Sequence, residues 1–304
     1  MTKLIIGIKN KDISSCLSLH TKTIAKYYLE AKTKSDLISA KKFSLEHKLP
    51  LFIIGGGSNT IFMKEKIDGL VVRNVYQKKI IIKQHKNSVE ILVSSGYPVP
   101  RLVKETIESG YSGFEYFAGM PGNVGGSLYM NSKWTKPLHY FGENLVTAFL
   151  LDKNGQIKKV SHEYFHFGYD YSILQKTGEI VLEAIFQLKK DDPKTLLQKA
   201  KQTIEYRKKT QPVGSYSNGC FFKNISLENK IKFKLPTTSA GYLIDKAGLK
   251  GFQIGDFCIS NKHANFILNK GNGKIEDLKK LLLKVKGEVE KKFGITLDEE
   301  VILI

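Results

Sequence analysis

The stretch at residues 118–127 constrains the fold of this chain more than any other part of the sequence. Four glycines and one proline fall within the eight residues 119–126, so the backbone there follows a path that most side chains would forbid. Exposed N–H groups in such a loop can lie against a planar ring or bind a pyrophosphate. A loop with a purely structural role is the alternative, and this stretch alone does not decide between the two.

A second glycine-rich segment, residues 55–59, directly follows the apolar run Leu51–Ile54. It matches neither the GxGxxG nor the GxxxxGK[ST] nucleotide-binding pattern. Three consecutive glycines let backbone N–H groups converge on a phosphate, and Ser58 and Asn59 add side-chain donors, although a plain turn has the same composition. Two such loops, about 60 residues apart and each after hydrophobic structure, favour one dinucleotide bound by both.

The hydrophobic periodicity predicts an α+β protein with three domains, at residues 1–75, 76–190 and 191–304. Ser35 or Asp36 can cap the first helix, and Asp191 or Asp192 can cap the helix that opens the third domain. The predicted helices are 35–48, 99–109, 193–207 and 274–292, and the predicted strands are 51–54, 69–72, 80–82, 89–94, 145–151, 156–160, 180–188, 219–222, 256–260, 264–268 and 301–304.

The net charge of the chain is strongly positive, and it comes almost entirely from lysine. The formal net charge is +19, yet Arg73, Arg101 and Arg207 are the only arginines among 48 basic residues. Proteins that recognise bases or bind phosphates favour arginine for its planar, bidentate donors. The dispersed lysines therefore favour a solvated basic surface over a nucleic-acid groove, and we predict no nucleic-acid partner. Such a surface would attract small anionic substrates.

Apolar runs and cysteines exclude several other classes of protein. No run approaches the ~18 residues of a membrane span, so we predict no membrane association. The apolar run at residues 4–8 is too short for the core of a signal peptide, which predicts a cytoplasmic location. Cys16, Cys220 and Cys258 are odd in number and lack CxxC spacing, so neither a disulfide framework nor a metal site is predicted.

Several motifs follow one another in the order of a known enzyme family. The most specific are Met120-Pro121-Gly122-x-Val124-Gly125-Gly126 and Phe221-Phe222-Lys223-Asn224. In these and the other matching segments the chain resembles UDP-N-acetylenolpyruvoylglucosamine reductases of the shorter type, over about residues 20–304. The matching segments are 55–59, 93–115, 118–127, 217–224, 240–244, 248–251 and 297–301.

The resemblance implies a fold and a reaction. The fold is a two-part FAD-binding module of the vanillyl-alcohol-oxidase/PCMH type, at residues 1–75 and 76–190, followed by an α+β substrate-binding domain at 191–304. In the reaction, NADPH reduces FAD, and the reduced flavin then reduces the enolpyruvyl ether of a UDP-sugar to UDP-N-acetylmuramate, a peptidoglycan precursor. The expected partners are this UDP-sugar and NADPH, and we expect a monomer.

The resemblance also assigns binding residues. The two glycine-rich segments would bind FAD without a covalent bond, through Gly55, Gly56, Gly57, Ser58, Asn59, Gly119, Pro121, Gly122, Asn123, Gly125, Gly126 and Ser127. The expected substrate-binding residues are Tyr169, Arg207, Lys223, Asn224 and His263.

Two further residues match the catalytic positions of the family. Cys220 stands where the family usually has a serine that donates the proton, and a thiol, with an ordinary pKa of about 8.5, is the better acid. A buried apolar filler is the alternative role for this cysteine. Glu300 matches the family's C-terminal glutamate, which would donate a hydrogen bond to the developing charge. The neighbouring Asp298 and Glu299 are then expected at the surface.

The sequence departs from the family pattern at two places. Asp170 occupies the position of a family arginine in Phe-Gly-Tyr-Arg-x-Ser, which reverses the charge. This leaves open what stabilises the substrate carboxylate and the dienolate-like intermediate; a nearby lysine and a reduced activity are the two alternatives. Residues 19–28 lack the two glycines that the family usually has near the N-terminus. Another FAD-dependent oxidoreductase on the same fold, with a different substrate, is therefore the alternative function, and a basic nucleic-acid-binding protein is the alternative from another class.

Overall fold

The computed structural model describes residues 9–304, so the apolar run at residues 4–8 lies outside the described residues. The chain forms two compact units, and each is built from separate stretches of sequence. Unit 1 comprises residues 9–11, Ala25–Gly56 and Asp68–Arg207. Unit 2 comprises Asp12–Ile24, Gly57–Ile67 and Lys208–Ile304. Among residues 9–304, no helix is long and apolar enough to cross a membrane.

Residues 9–304 form seventeen strands and eight α-helices, numbered in chain order. The strands are β1 Lys9–Asp12, β2 Ile24–Ala31, β3 Leu51–Ile54, β4 Thr60–Ile61, β5 Lys66–Asn74, β6 Lys79–Gln84, β7 Ser88–Ser94, β8 Tyr111–Ser112, β9 Lys133–Thr135, β10 Leu138–Tyr140, β11 Leu145–Leu151, β12 Ile157–Ser161, β13 Ile180–Lys190, β14 Gln253–Ile254, β15 Phe257–Ile259, β16 Ile267–Asn269 and β17 Ile302–Leu303. The helices are α1 Lys34–Glu46, α2 Val99–Glu108, α3 Val124–Met130, α4 Leu174–Thr177, α5 Pro193–Thr210, α6 Leu227–Lys232, α7 Ala240–Lys246 and α8 Ile275–Phe293.

The first part of unit 1 is a four-stranded sheet in the order β1-β2-β5-β3, in which β3 and β5 are parallel. Leu37, Ala40 and Phe43 of α1 pack into one apolar cluster with β5. The sequence predicted this helix but not its cap, since Thr33 accepts a hydrogen bond from the Asp36 N–H and Asp36 reaches back to the Thr33 N–H. This reciprocal arrangement makes Thr33 the N-cap, and the prediction of Ser35 or Asp36 was wrong.

The second part of unit 1 is an antiparallel sheet in the order β12-β11-β13-β7-β6, to which β8 adds by pairing with β13. Its strands match the predicted ones closely, because alternating apolar residues mark a half-buried sheet. Helix α5 starts after Asp192, whose carboxylate accepts from the Thr195 N–H, and its Leu196 and Ala200 belong to the core of unit 1. The division into functional domains at 75 and 190 stays a prediction.

A buried carboxylate joins three segments of unit 1. Glu183 on β13 is 5% exposed and accepts hydrogen bonds from the Tyr76 hydroxyl at 2.6 Å, from Lys34 Nζ at 2.9 Å and from Lys78 Nζ at 3.2 Å. Burial alone would raise the pKa of Glu183, but these three donors outweigh it and hold the pKa below the ordinary glutamate range.

We expect this network to make unit 1 sensitive to acid. Because the folded pKa of Glu183 lies below the unfolded one, its stabilisation is present above the unfolded pKa and is lost as pH falls through the folded pKa. Glu183→Gln should lower the free energy of unfolding by about 1–3 kcal/mol at neutral pH and reduce the loss of stability on acidification. Denaturant titrations across this pH range measure both effects, and parallel pH profiles of wild type and variant would contradict this role.

Unit 2 is built around helix α8, whose apolar face packs on α7 and on the antiparallel sheet β14-β15-β16. The last strand, β17, pairs in parallel with β4, so Ile302 lies opposite Thr60. The C-terminal segment thereby lies beside the residues that follow the first glycine-rich loop. The predicted strand at 219–222 does not form, because Cys220 and Phe222 make isolated bridges to different partners, Phe266 and Glu299.

Candidate active site

The two glycine-rich segments meet within unit 1. A Cβ on Gly55 would lie 3.1 Å from Asn123 Cγ, and one on Gly56 would lie 3.1 Å from Gly122 Cα. The Asn123 amide donates to the carbonyls of Asn74 at 2.9 Å and Gly96 at 3.1 Å, which ties the second loop to the sheet. The structure therefore brings together two segments that the sequence predicts to share one cofactor.

Within unit 2, the rest of the first loop is fixed by its backbone. Gly57 has φ +63° and a Cβ there would lie 2.0 Å from the carbonyl oxygen of Cys16, so only glycine fits. The Asn59 amide donates to the Glu300 carbonyl at 3.4 Å. Ser58 precedes this contact, and the loop thus lies beside the C-terminal glutamate predicted to act in catalysis.

The second loop ends in a short helix that the sequence did not predict. The prediction of a loop to residue 127 was wrong in its last part, because α3 begins at Val124 and contains Gly125, Gly126 and the buried Ser127. The Gly125 N–H donates to the Ser95 carbonyl at 2.8 Å. A Cβ on Gly126 would meet nothing within 4 Å, so the outer face of the helix is open there.

Gly126→Ala is expected to weaken FAD binding without weakening the fold, if the cofactor lies on this open face. The added methyl group meets no protein atom and favours the helix, so the apoprotein should be as stable as wild type or more. The control is Gly287→Ala in α8, where a Cβ also meets nothing within 4 Å. Flavin titration of both apoproteins measures the effect; equal affinities for FAD would exclude contact at Gly126.

The chain segments of Cys220 and Glu300 lie side by side in unit 2. The Glu300 N–H donates to the Phe221 carbonyl at 2.8 Å, and the Phe221 N–H donates to the Asn265 carbonyl at 2.9 Å. The backbone after Cys220 is thus held between two other segments. Phe221 and Phe222 are fully buried, which fixes the strand-like path that presents the half-buried thiol.

Asn265 is a structural residue of the site that sequence reasoning missed. Its amide group donates to the Phe222 carbonyl at 2.8 Å and accepts from the Phe222 N–H at 2.9 Å, so one buried side chain satisfies both backbone groups. The only sequence signal is a polar residue between two apolar ones, Ala264 and Phe266.

The predicted substrate residues of unit 2 contact several different neighbours. The Lys223 N–H donates to the Asp298 carbonyl at 2.8 Å, and the Asn224 side chain accepts from the Ala240 N–H at 3.1 Å at the start of α7. The ring of His263 lies 3.1 Å from a Cβ built on Gly241. Burial and the nearby Lys250 lower the pKa of His263, so the ring is neutral near pH 7.

The remaining predicted residues lie in unit 1. The Arg207 guanidinium stacks 4.7 Å from the Trp134 ring, and its Cδ lies 3.2 Å from a Cβ built on Gly119, so it contacts the first glycine of the second loop. Tyr169 is 40% exposed and lines a cavity of about 220 Å³ with Asn131, Phe167 and Gly168 among its walls. Asp170 is buried and forms an ion pair with Lys133.

Models of two known protein families match most of the chain. Residues 25–161 match the model described as FAD binding domain, and residues 211–304 match UDP-N-acetylenolpyruvoylglucosamine reductase, C-terminal domain. A curated UDP-N-acetylenolpyruvoylglucosamine reductase from Chlamydia trachomatis serovar L2 is 36% identical over 280 residues, which cover 92% of this chain and 90% of the relative. The chain belongs to the UDP-N-acetylenolpyruvoylglucosamine reductase family.

Other members of the UDP-N-acetylenolpyruvoylglucosamine reductase family agree in length and fold. The reductase of Protochlamydia amoebophila is 31% identical over 299 residues, which cover 97% of this chain and 94% of the relative. The crystal structure of the reductase (MurB) from Thermus caldophilus superposes with a TM-score of 0.77 at 27% identity, over 98% of this chain and 99% of that one. The predicted α+β fold with an FAD-binding module is confirmed.

The glycine-rich loops fit the cofactor that this family membership implies. FAD is the cofactor of the protein. Its diphosphate needs backbone N–H donors with no side chain in front of them. Gly55 and Gly56 carry no side chain where the two loops approach each other, and a Cβ on Gly126 would meet nothing within 4 Å. The individual contacts of FAD with residues 55–59 and 119–127 stay predictions.

Proposed function

We propose that the chain reduces UDP-N-acetylenolpyruvoylglucosamine to UDP-N-acetylmuramate, with NADPH as the reductant. The observation that carries the proposal is the pairing of the Cys220 and Glu300 segments inside the region that matches the reductase C-terminal domain. Bound by the two glycine-rich segments, residues 55–59 and 119–127, FAD would supply the hydride-transfer chemistry that links NADPH to one vinyl carbon of the enolpyruvyl group.

The chain must then supply a proton and hold a negative charge. Addition of hydride to one vinyl carbon leaves the electron pair on the other, conjugated with the substrate carboxylate. Cys220 lies on a backbone fixed by Asn265 and Glu300, and its thiol would donate the proton. A proton donor must lie within about 3 Å of the carbon that receives the proton, and a rigid strand-like segment meets that requirement better than a loop.

Glu300 would stabilise the developing charge. Its main chain is fixed on both sides, since its N–H donates to Phe221 and its carbonyl accepts from Asn59. A carboxylic acid held in this position can donate a hydrogen bond to an enolate oxygen, provided that it is protonated. The predicted substrate-binding residues are Tyr169 and Arg207 of unit 1 and Lys223, Asn224 and His263 of unit 2, which offer the cations and neutral donors that an anionic nucleotide sugar needs.

Oxidation of NADPH in the presence and absence of the UDP-sugar tests the proposal. We expect turnover that depends on UDP-N-acetylenolpyruvoylglucosamine and yields UDP-N-acetylmuramate, whereas UDP-N-acetylglucosamine, which lacks the enolpyruvyl group, should support none. Oxidation of NADPH at one rate with either sugar would instead favour the alternative, an FAD-dependent oxidoreductase with another substrate.

A further inference from the structure

A lysine–aspartate pair lies inside unit 1, beside the cavity that Tyr169 lines. Lys133 on β9 hydrogen-bonds to Asp170 Oδ1, and the two side chains are only 11% and 4% exposed. Removing two charges from water costs free energy that a single contact does not offset by itself. Buried ion pairs of this kind therefore often mark a site where one of the charges has a further task.

The surrounding contacts hold the pair in one place. Asn131, two residues before Lys133, donates its amide to the Gly168 carbonyl at 3.0 Å, and the Gln175 amide donates to the Asp170 carbonyl at 2.9 Å. Asp170 itself has φ +49°, an unfavourable conformation for a non-glycine residue. The local structure thus fixes the carboxylate and, through it, the ammonium group.

The ammonium group is the member of the pair that lies against a cavity-lining side chain, Tyr169. Lys133 Nζ lies 4.0 Å from the centre of the Tyr169 ring, and Tyr169 is 40% exposed. By contrast, Asp170 Oδ2 is buried and has no hydrogen-bond partner among residues 9–304. The pair therefore presents its cation towards the exposed tyrosine and keeps its anion inside.

We propose that Lys133, positioned by Asp170, binds the carboxylate of the substrate's enolpyruvyl group. This inference rests on the proposed function, because that reaction builds negative charge on the carboxylate and requires a fixed cation beside it. Lys133 is then a substrate-binding residue, and Asp170 is a positioning residue that acts through Lys133.

A second lysine–carboxylate pair in the same unit provides the control. Lys158 Nζ lies 2.5 Å from Glu179 Oε1 and 4.1 Å from the Tyr164 ring centre, so its composition resembles that of the first pair. It differs in that the Tyr164 hydroxyl donates to Glu179 at 2.7 Å, which satisfies the carboxylate internally. Its tyrosine, Tyr164, is also not among the residues that line the Tyr169 cavity.

The test compares two ligands that differ in the carboxylate. UDP-N-acetylmuramate carries it and UDP-N-acetylglucosamine lacks it, and calorimetric titration of the FAD-loaded protein gives both affinities. Lys133→Met/Asp170→Asn removes both charges together and leaves neither one buried alone. We expect this double variant to bind UDP-N-acetylmuramate about 10- to 100-fold more weakly and UDP-N-acetylglucosamine as tightly as wild type does. Lys133→Arg and Lys158→Met/Glu179→Gln should both retain the wild-type preference for UDP-N-acetylmuramate over UDP-N-acetylglucosamine.

The outcomes separate this inference from the proposed function. A wild-type protein that binds neither ligand would contradict the proposed function. A wild type that prefers UDP-N-acetylmuramate, together with a double variant that keeps the whole preference, would overturn the inference alone. If the Met/Asn variant does not fold, Lys133→Gln/Asp170→Asn takes its place, since two amides can hydrogen-bond to each other.

Discussion

Cys220→Ala is expected to slow reoxidation of the reduced flavin by UDP-N-acetylenolpyruvoylglucosamine by about 10²–10⁴-fold, the usual effect of removing a positioned acid. Reduction of the flavin by NADPH should keep its wild-type rate, because that step requires no proton from the thiol. Cys220→Ser should retain much of the activity, since a hydroxyl in the same place can donate a proton. Stopped-flow measurement of the two half-reactions separates these effects.

The matched control for Cys220 is Cys258, a second half-buried cysteine of unit 2, on β15. Cys258→Ala should leave both half-reactions unchanged, because Cys258 lies outside the paired segments at 220 and 300. A thiolate cannot donate a proton, so reoxidation in the wild type should also slow as pH rises through the pKa of the thiol. If the flavin of Cys220→Ala were reoxidised at the wild-type rate, Cys220 would be only a packing residue.

Glu300→Ala should slow the same reoxidation step by about 10²–10³-fold, the scale observed when one donor to a developing anion is removed. Glu300→Gln should lose less, because an amide N–H can still donate to the enolate oxygen. The backbone contacts of residue 300 with Phe221 and Asn59 persist in both variants, so their folds should remain intact.

Glu299 is the control for Glu300. The sequence placed both Asp298 and Glu299 at the surface, and Asp298 is exposed, but Glu299 is half-buried and pairs with Lys286 at 2.7 Å. Loss of such a partly exposed ion pair costs at most about 1 kcal/mol. Glu299→Ala should therefore preserve both half-reactions, and an equal loss of reoxidation in both variants would indicate a structural effect of the whole segment.

The sequence predicted the regular elements well where a single physical signal dominated. Strand β11 has the predicted bounds, because its apolar residues are flanked by polar ones. Helix α8 begins and ends within one residue of the prediction, since its apolar stripe is long and Gly294 follows it with φ +66°. Local periodicity carries this information without reference to the rest of the chain.

The sequence did not predict features that depend on contacts between distant parts of the chain. Helix α3 follows a glycine-rich loop and itself contains two glycines, which have a low helix propensity. The helix is stabilised by Val124 and Leu128, which are buried in the core of unit 1. The stretches 12–24 and 57–67 belong to unit 2 although they precede most of unit 1, which no local pattern reports.

The candidate site was predictable only in part. Motif resemblance singled out Cys220 and Glu300, and the structure places their segments side by side. The same resemblance marked Asp170 as a reversed charge without naming a partner, because Lys133 lies 37 positions earlier in the sequence. Asn265 stayed unrecognised, since a buried amide that hydrogen-bonds to the backbone of a distant segment has no sequence pattern of its own.

A single-turnover reaction tests the central claim most directly. The purified protein, loaded with FAD and reduced without oxygen, is mixed with UDP-N-acetylenolpyruvoylglucosamine while the flavin absorbance is followed and the products are identified. We predict that the flavin is reoxidised and that UDP-N-acetylmuramate forms in an amount equal to the flavin. A flavin that stays reduced with intact substrate, in a protein that still binds FAD, would contradict the assignment of this chain as a working reductase.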